Sequence, residues 1–188
     1  MFLLEKKIGF LLRRSYLLIE NNYNPKKYPV GVFFKMANTY NQIFIQLVFA
    51  VKYRDAVIDK SWRQELYQYI IGLIGNRGHK VYAIGGMSDH IHILVSLSPK
   101  QAISELVLEV KRASSLWIKE KQYVRCQFAW QEGFGAFSYG KSQVDSVVKY
   151  IQNQEAHHAK HTFKDEYVSF LQLFGIEFDE RYIFKEMA

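Results

Sequence analysis

The sequence has little cysteine and no long apolar run. Cys126 is its single cysteine, so neither an intramolecular disulfide nor a cluster of thiolate ligands can form. No stretch approaches the roughly 18 consecutive apolar residues of a membrane span, because the apolar segment 8–12 runs directly into Arg13 and Arg14. These absences favour a soluble protein of the reducing cytoplasm, in which any metal site uses nitrogen and oxygen ligands.

Negative charge is scarce near the N-terminus. The chain has 25 lysines and arginines against 18 acidic residues, a net charge of +7, and residues 1–35 alone hold seven basic residues against two glutamates. A cluster of helix and strand breakers at 21–25 lies in the same segment. We therefore interpret residues 1–35 as an N-terminal extension and place the functional domain at 36–188; a membrane-surface or DNA-binding arm is the alternative. Residues 36–164 carry 16 basic and 10 acidic residues, which suits a phosphate backbone or an ordinary solvated surface equally.

Hydrophobic periodicity predicts one α+β domain. With 188 residues, 49% of them hydrophobic, the chain is long enough to bury one core. The predicted order is strand, helix, strand, strand, helix, strand, as in ferredoxin-like or RRM-like βαββαβ folds with an antiparallel sheet, followed by C-terminal helices. A Ser61–Gln64 capping box should start the first helix. The first three predicted strands are 42–51, 80–85 and 89–95, and 127–131 and 134–139 are two short aromatic-rich strand candidates. The other helices are expected from Ser98–Pro99, over 142–160 and over 162–174.

A pair of histidines lies inside the third predicted strand. Successive side chains of a strand point to opposite faces, so His90 and His92 share one face while the intervening Ile91 lies on the other. We expect the isoleucine face to be core. The histidine face offers two nitrogen ligands for a metal ion. A hydrogen-bonded or exposed histidine pair is the alternative.

A tyrosine and a glutamine stand together on a later helix. Tyr150 and Gln154 are four residues apart and so share a helical face, which lies outside the apolar stripe that includes Val147 and Ile151. Taken alone, this pair is typical of an amphipathic surface. Its significance comes from its combination with the upstream histidine strand.

This combination resembles the HUH single-tyrosine transposases of the IS200/IS605 type, a group that includes the REP-associated tyrosine transposases. The resemblance covers nearly all of residues 36–188, and residues 1–35 have no counterpart in it. The blocks that carry it are 48–54 with its basic end, the histidine-hydrophobe-histidine motif at 89–92, the aromatic segment 130–138, and 150–154 followed by His157 and His158.

The resemblance implies a DNA transposase that acts on single-stranded, hairpin-bearing DNA. His90, His92 and Gln154 would then hold one divalent cation, with magnesium or manganese expected, and Tyr150 would be the nucleophile. The cation would polarise the scissile phosphate, and attack by the phenol would leave a 5′-phosphotyrosine and a free 3′-hydroxyl. The resemblance further implies a homodimer in the bacterial cytoplasm, located on the nucleoid when bound to DNA and without a membrane partner.

Two rival functions fit parts of the sequence. A histidine-triad phosphohydrolase or transferase needs a third alternating histidine, but Leu94 occupies that position. A domesticated, non-enzymatic binder of single-stranded hairpin DNA would tolerate the loss of Tyr150 or of a histidine. This chain keeps Tyr150, both histidines and Gln154, which favours an active enzyme.

Other polar side chains that could belong to a functional site have structural explanations. His157, His158 and His161 are interpreted as a basic, hydrophilic helix end; extra metal ligands or general acids are the alternative. Asp89 is expected to point away from the imidazoles, because neighbours on a strand face opposite ways; an acceptor that orients a ligand imidazole is the alternative. Cys126 is interpreted as a small packed residue, since the sequence offers it no paired histidine.

Overall fold

The computed structural model describes residues 40–125, 127–179 and 183. Four strands form one sheet in the order β2-β3-β1-β4, and every neighbouring pair is antiparallel. With helices on both faces, this is the α+β arrangement predicted from the sequence, and that prediction is confirmed. The extension predicted at residues 1–35 lies outside the described residues. Within the described part, no helix is both long and apolar enough to cross a membrane. The strands are β1 (Phe44–Ala50), β2 (Lys80–Gly86), β3 (His90–Ser96) and β4 (Gly135–Tyr139).

The two central strands are buried on both faces. All seven residues of β1 and six of the seven in β3 are buried. Leu47 pairs with Ile93, and both belong to the large apolar core shared with the first two helices. On the opposite face, Val48 pairs with His92 and Ala50 with His90. The alternation along β3 therefore separates core from histidines, as the sequence predicted.

The first two helices, α1 (Lys60–Asn76) and α2 (Ile103–Glu120), start at different residues from those predicted. Asp59 is the cap of α1, and its Oδ1 accepts a hydrogen bond from the Ser61 backbone N–H at 2.8 Å. The predicted Ser61–Gln64 capping box is therefore wrong by two residues. The predicted start of α2 at Ser98–Pro99 is also wrong, because His79 accepts the Ser98 backbone N–H at 2.9 Å and holds this segment outside the helix.

Only one of the two short aromatic-rich strand candidates is a strand in the structure. Only Gly135–Tyr139 is a strand, while Trp130 makes an isolated bridge to Val51. The indole N–H of Trp130 donates to Ser114 Oγ on α2 at 2.9 Å. The backbone of residues 127–131 pairs with the end of β1 through Lys52 N–H to the Ala129 carbonyl and Gln131 N–H to the Ala50 carbonyl, both at 2.9 Å, so it adds one bridge and not a second strand.

Three C-terminal helices cover the histidine face of the sheet. They are α3 (Val144–Gln152), α4 (Gln154–His158) and α5 (Phe163–Leu173). The single helix predicted over 142–160 is interrupted at Asn153, whose ψ of 22° leaves the helical region. α5 begins at a capping box in which Thr162 and Asp165 satisfy each other's groups.

Gly85 lets α3 lie directly against the sheet. A Cβ atom at this position would stand 2.3 Å from the Ile151 carbonyl oxygen, which is backbone and cannot yield. Ile151 follows Tyr150 in the chain, so this close approach fixes the depth at which Tyr150 meets the histidine face.

Candidate active site

His90 and His92 form the floor of the site and are fully buried. Their ring centroids are 5.1 Å apart. Asp89 Oδ1 accepts a hydrogen bond from His90 Nδ1 at 2.7 Å. A proton held on Nδ1 leaves the lone pair of Nε2 free to bind a cation. The expectation that Asp89 points away is wrong, because β3 begins at His90 and the alternation does not extend back to residue 89.

The second imidazole is held from β1 and β4. Gln46, also fully buried, lies with its amide 3.0 Å from His92 Nδ1, and the Tyr139 hydroxyl donates to Gln46 Oε1 at 2.9 Å. A hydroxyl can both donate and accept, so either orientation of the Gln46 amide keeps its partners. Both neutral tautomers of His92 are therefore compatible with this contact, including the one with a free Nε2 lone pair.

Helices α3 and α4 bring the other two predicted residues to the same place. Gln154 is buried, and its Oε1 lies 3.5 Å from His90 Nε2. Tyr150 is half-buried, with its ring centroid 6.1 Å from that of His92. The structure thus brings together all four residues singled out in the sequence.

A carboxylate that sequence reasoning missed lies at the centre of the site. Glu166, in the first turn of α5, is only 4% exposed. Its Oε1 accepts hydrogen bonds from the Tyr150 hydroxyl and from Gln154 Nε2, the latter at 3.0 Å. Its Oε2 lies 3.3 Å from both His92 Nε2 and His158 Nε2. An acidic residue in the first turn of a helix is ordinary for its interaction with the dipole, so nothing local distinguished Glu166 from Asp165.

His158 also belongs to this cluster. Its side chain is 7% exposed and faces Glu166, so its interpretation as a hydrophilic helix end is wrong. His157 is more exposed, with its Nε2 3.7 Å from Glu166 Oε1, and His161 is exposed. The spacing of four residues between Gln154 and His158 would have placed them on one face, and that signal was available in the sequence.

Burial and charge set the protonation states of the cluster. Burial lowers the pKa of His92 and favours the neutral imidazole. Burial alone would raise the pKa of Glu166, but the proximity of His92 and the hydrogen bonds from Tyr150 and Gln154 hold it below its usual range. Burial first, and then the negative charge of Glu166, raise the pKa of Tyr150. The resting site therefore combines a neutral His92 imidazole, an ionised carboxylate and a protonated phenol.

An open cavity of about 590 Å³ reaches Tyr150 from outside. Its lining includes Gln46, Tyr139, Tyr150, His157 and Glu166. Phe163 covers His90, with its ring stacked on the imidazole and the centroids 4.0 Å apart. A ligand can therefore approach the phenol through the cavity while the imidazoles remain fixed beneath it.

A family model for IS200-like transposases matches residues 39–154, more than half of the chain. The chain belongs to the IS200-like transposase family. The family resemblance stated from the sequence motifs is thereby confirmed. The match contains the histidine pair, Tyr150 and Gln154, whereas His158 and Glu166 follow its end.

Individual relatives agree with this membership. The chain is 25% identical to the ISDra2 transposase TnpA of Deinococcus radiodurans over 118 residues, which are 60% of this chain and 84% of the relative. The fold is shared with a crystal structure described as a transposase of the same organism, at 21% identity and a TM-score of 0.51 over 65% of this chain and 98% of that one. It is also shared with a REP-associated tyrosine transposase bound to a REP hairpin, at 15% identity and a TM-score of 0.51 over 83% of this chain and 99% of that one.

The donor atoms of this IS200-like chain fit a metal ion. His90, His92, His158 and Glu166 each offer one ligand atom, and these four atoms lie within 4.8 Å of one another. His92 Nε2, His158 Nε2 and Glu166 Oε2 are buried without a hydrogen-bond partner among the described residues. Buried polar atoms without partners are costly. A cation bound between them would satisfy all three at once, and their nitrogen and oxygen chemistry suits a divalent ion.

Proposed function

We propose that this chain cleaves and rejoins single-stranded DNA at hairpin-bearing element ends through a covalent intermediate on Tyr150. The observation that supports this most directly is the position of Tyr150, which lines an open cavity and donates its hydroxyl hydrogen bond to Glu166 of the buried cluster. The proposed substrate follows from the family and from the relative whose structure contains a REP hairpin.

In the proposed reaction, Tyr150 Oη attacks the scissile phosphorus. The new P–O bond to tyrosine replaces the P–O3′ bond, so the products are a 5′-phosphotyrosine and a free 3′-hydroxyl. Glu166 Oε1 already accepts the phenolic hydrogen bond and is placed to receive the proton as the bond forms. Overall, one proton moves from Tyr150 to the departing 3′ oxygen. Because the phosphodiester is exchanged and not hydrolysed, a 3′-hydroxyl can reverse the step and join strands without a high-energy cofactor.

The ligands proposed for the cation are His90 and His92, with Gln154 as the third. Asp89 and Gln46 orient the two imidazoles from behind. When bound, magnesium or manganese would polarise the phosphate and stabilise negative charge on its oxygens. Phe163 and Phe170 pack against the imidazole rings and keep them from turning.

Homodimerisation is proposed from the family. Tyr150 meets the histidines of its own chain in this structure, so we expect each protomer to use its own tyrosine. Mixing a chain carrying His90→Ala and His92→Ala with a Tyr150→Phe chain tests this. Verified heterodimers should form no adduct, and an adduct restored by mixing would show that the tyrosine works in the partner's site.

We also propose that residues 1–35 are dispensable. The composition changes at Met36, and the family match begins only at residue 39. A chain that starts at Met36 should fold and cleave as the full chain does. Loss of cleavage in a folded truncation would assign the extension to the catalytic domain.

The decisive experiment for the proposed activity is adduct formation. The chain is incubated with single-stranded copies of the genomic flanks of its gene and a divalent cation, and the products are resolved on a denaturing gel. A covalent protein–DNA species should form with the wild type and be absent with Tyr150→Phe. Tyr139→Phe is the matched control, because Tyr139 lines the same cavity and should leave the adduct detectable. Hairpin binding without any adduct would favour the non-enzymatic binder.

A further inference from the structure

Two of the four clustered donors come from the part of the chain that follows the family match. The match ends at residue 154, whereas His158 ends α4 and Glu166 lies in α5. Both side chains turn back onto the histidine pair and are buried there. The C-terminal segment therefore does more than cover the sheet, because it delivers a carboxylate and an imidazole to the same point.

We propose that His158 and Glu166 are further metal ligands in this chain, beside His90, His92 and Gln154. This inference rests on the proposed function for the presence of a cation. It goes beyond that function by adding two ligands, both from the C-terminal helices α4 and α5.

Buried atoms without partners support the two added ligands. Glu166 Oε2 and His158 Nε2 are buried without a hydrogen-bond partner among the described residues, although they lie 3.3 Å apart. His92 Nε2 is a third such atom, also 3.3 Å from Glu166 Oε2. Atoms that lack partners and converge are those that a cation would bind.

The two oxygens of Glu166 contact different groups, one the nucleophile and the other the proposed metal site. Oε1 holds the Tyr150 hydroxyl and the Gln154 amide, while Oε2 faces the imidazoles. A carboxylate that contacts both groups ties the position of the phenol to the occupancy of the metal site. Gln154 fixes the rotation of this carboxylate by donating to Oε1.

The donor set also indicates the class of metal. Three imidazole nitrogens and one carboxylate oxygen suit manganese, cobalt or zinc, whereas magnesium prefers oxygen ligands and keeps much of its water. We therefore expect the site to bind Mn²⁺ at least about tenfold more tightly than Mg²⁺. The sequence-based trio of two histidines and an amide predicts a smaller preference.

Metal titration of the full chain tests the assignment without reference to activity. Mn²⁺ affinity is measured by calorimetry for the wild type, Glu166→Gln, Glu166→Asp and His158→Asn, with folding checked by circular dichroism. Each variant should bind at least about tenfold more weakly, the loss expected even for groups that only support ligands. His161→Asn is the matched control, since His161 is exposed near the same helix end and should retain wild-type affinity.

The visible absorption of bound Co²⁺ separates ligands from residues that act at a distance, because it reports the donor atoms themselves. Glu166→Asp keeps the charge but withdraws the oxygen by one methylene, so a changed Co²⁺ spectrum in this variant and in His158→Asn is the expected result. Unchanged affinity and unchanged spectra in both would overturn the assignment. Glu166→Gln with unchanged affinity but faster cleavage would also overturn it, since the carboxylate would then only occupy the place of the substrate phosphate.

The outcomes separate this inference from the proposed function. If the wild type forms the Tyr150 adduct while the variants keep their Mn²⁺ affinity and Co²⁺ spectra, the ligand assignment fails and the function stands. If the variants lose the metal while the wild type forms no adduct with any single strand, the ligand assignment stands and the function fails.

Discussion

The two faces of the central strands bury different chemistry. One face packs Leu47 and Ile93 into the apolar core shared with α1 and α2, while the other holds His92 beside Gln46 and Glu166 beneath α3 to α5. The strand side chains are excluded from water on both faces, since Leu47, Ile93 and His92 are at most 1% exposed, although an open cavity reaches Gln46 and Glu166 on the histidine face. The apolar face gains stability from that exclusion, whereas the histidine face brings His92 Nε2, His158 Nε2 and Glu166 Oε2 together at one point without hydrogen-bond partners among the described residues. Adjacent residues of β3 thus serve stability and chemistry separately, and substitutions one residue apart should have separable effects.

The largest effect is expected from His92→Ala. This substitution removes a donor from the proposed metal site, and the transition-state stabilisation supplied by a catalytic metal is worth several kcal/mol. Adduct formation should therefore fall by about a thousandfold or more. The comparison is made by single-turnover cleavage at saturating DNA, with hairpin binding measured beside it. A cleavage rate within about tenfold of wild type would show that His92 is not a ligand of the catalytic metal.

Ile93→Ala should have the opposite profile. Ile93 is fully buried in the apolar core, so its truncation should lower the free energy of unfolding by about 2–5 kcal/mol. Urea unfolding measures this loss. Below the unfolding transition, the variant should retain Mn²⁺ affinity and adduct formation, because its side chain lies on the other side of β3. A selective loss of metal binding in a folded Ile93→Ala protein would show that the two faces are coupled.

The smallest effect is a pH dependence of the metal-free protein. Burial depresses the pKa of His92 below its ordinary 6.5, so the unfolded chain binds this proton more readily than the folded one. The stability tied to neutral His92 is present above pH 6.5 and is lost as the pH falls below it, with a limiting slope of about 1.4 kcal/mol per pH unit. Urea unfolding in EDTA between pH 7.5 and pH 5.5 (~1 unit either side of the ordinary value) should show the decline. His92→Gln should flatten it, and an equal slope in both proteins would assign the effect to other groups.

The same contrast explains what the sequence could predict. The alternation at His90–His92 and the spacing of Tyr150 and Gln154 are local patterns, and the structure brings these four residues together. The order of strands and helices was predictable for the same reason. Both predictions rest on side-chain periods of two residues in strands and about 3.6 residues in helices. These periods are visible in a single sequence.

Features that depend on distant contacts were not predictable. Glu166 reaches the histidines only because α5 folds back across the sheet, and its place in a first helical turn is unremarkable on its own. The start of α2 was misplaced because His79, from the preceding β2 region, binds the Ser98 backbone. Asp89 was misjudged because the strand begins one residue later than the alternation assumed.

The central claim is that Tyr150 becomes covalently joined to DNA beside the buried histidine and carboxylate cluster. Its most direct test is mass spectrometry of the adduct after protease and nuclease digestion, combined with labelling of the released DNA end. The account predicts a 5′-linked nucleotide on the peptide that contains Tyr150, together with a free 3′-hydroxyl on the released strand. Attachment to any other residue, or release of a free 5′-phosphate without an adduct, would contradict it.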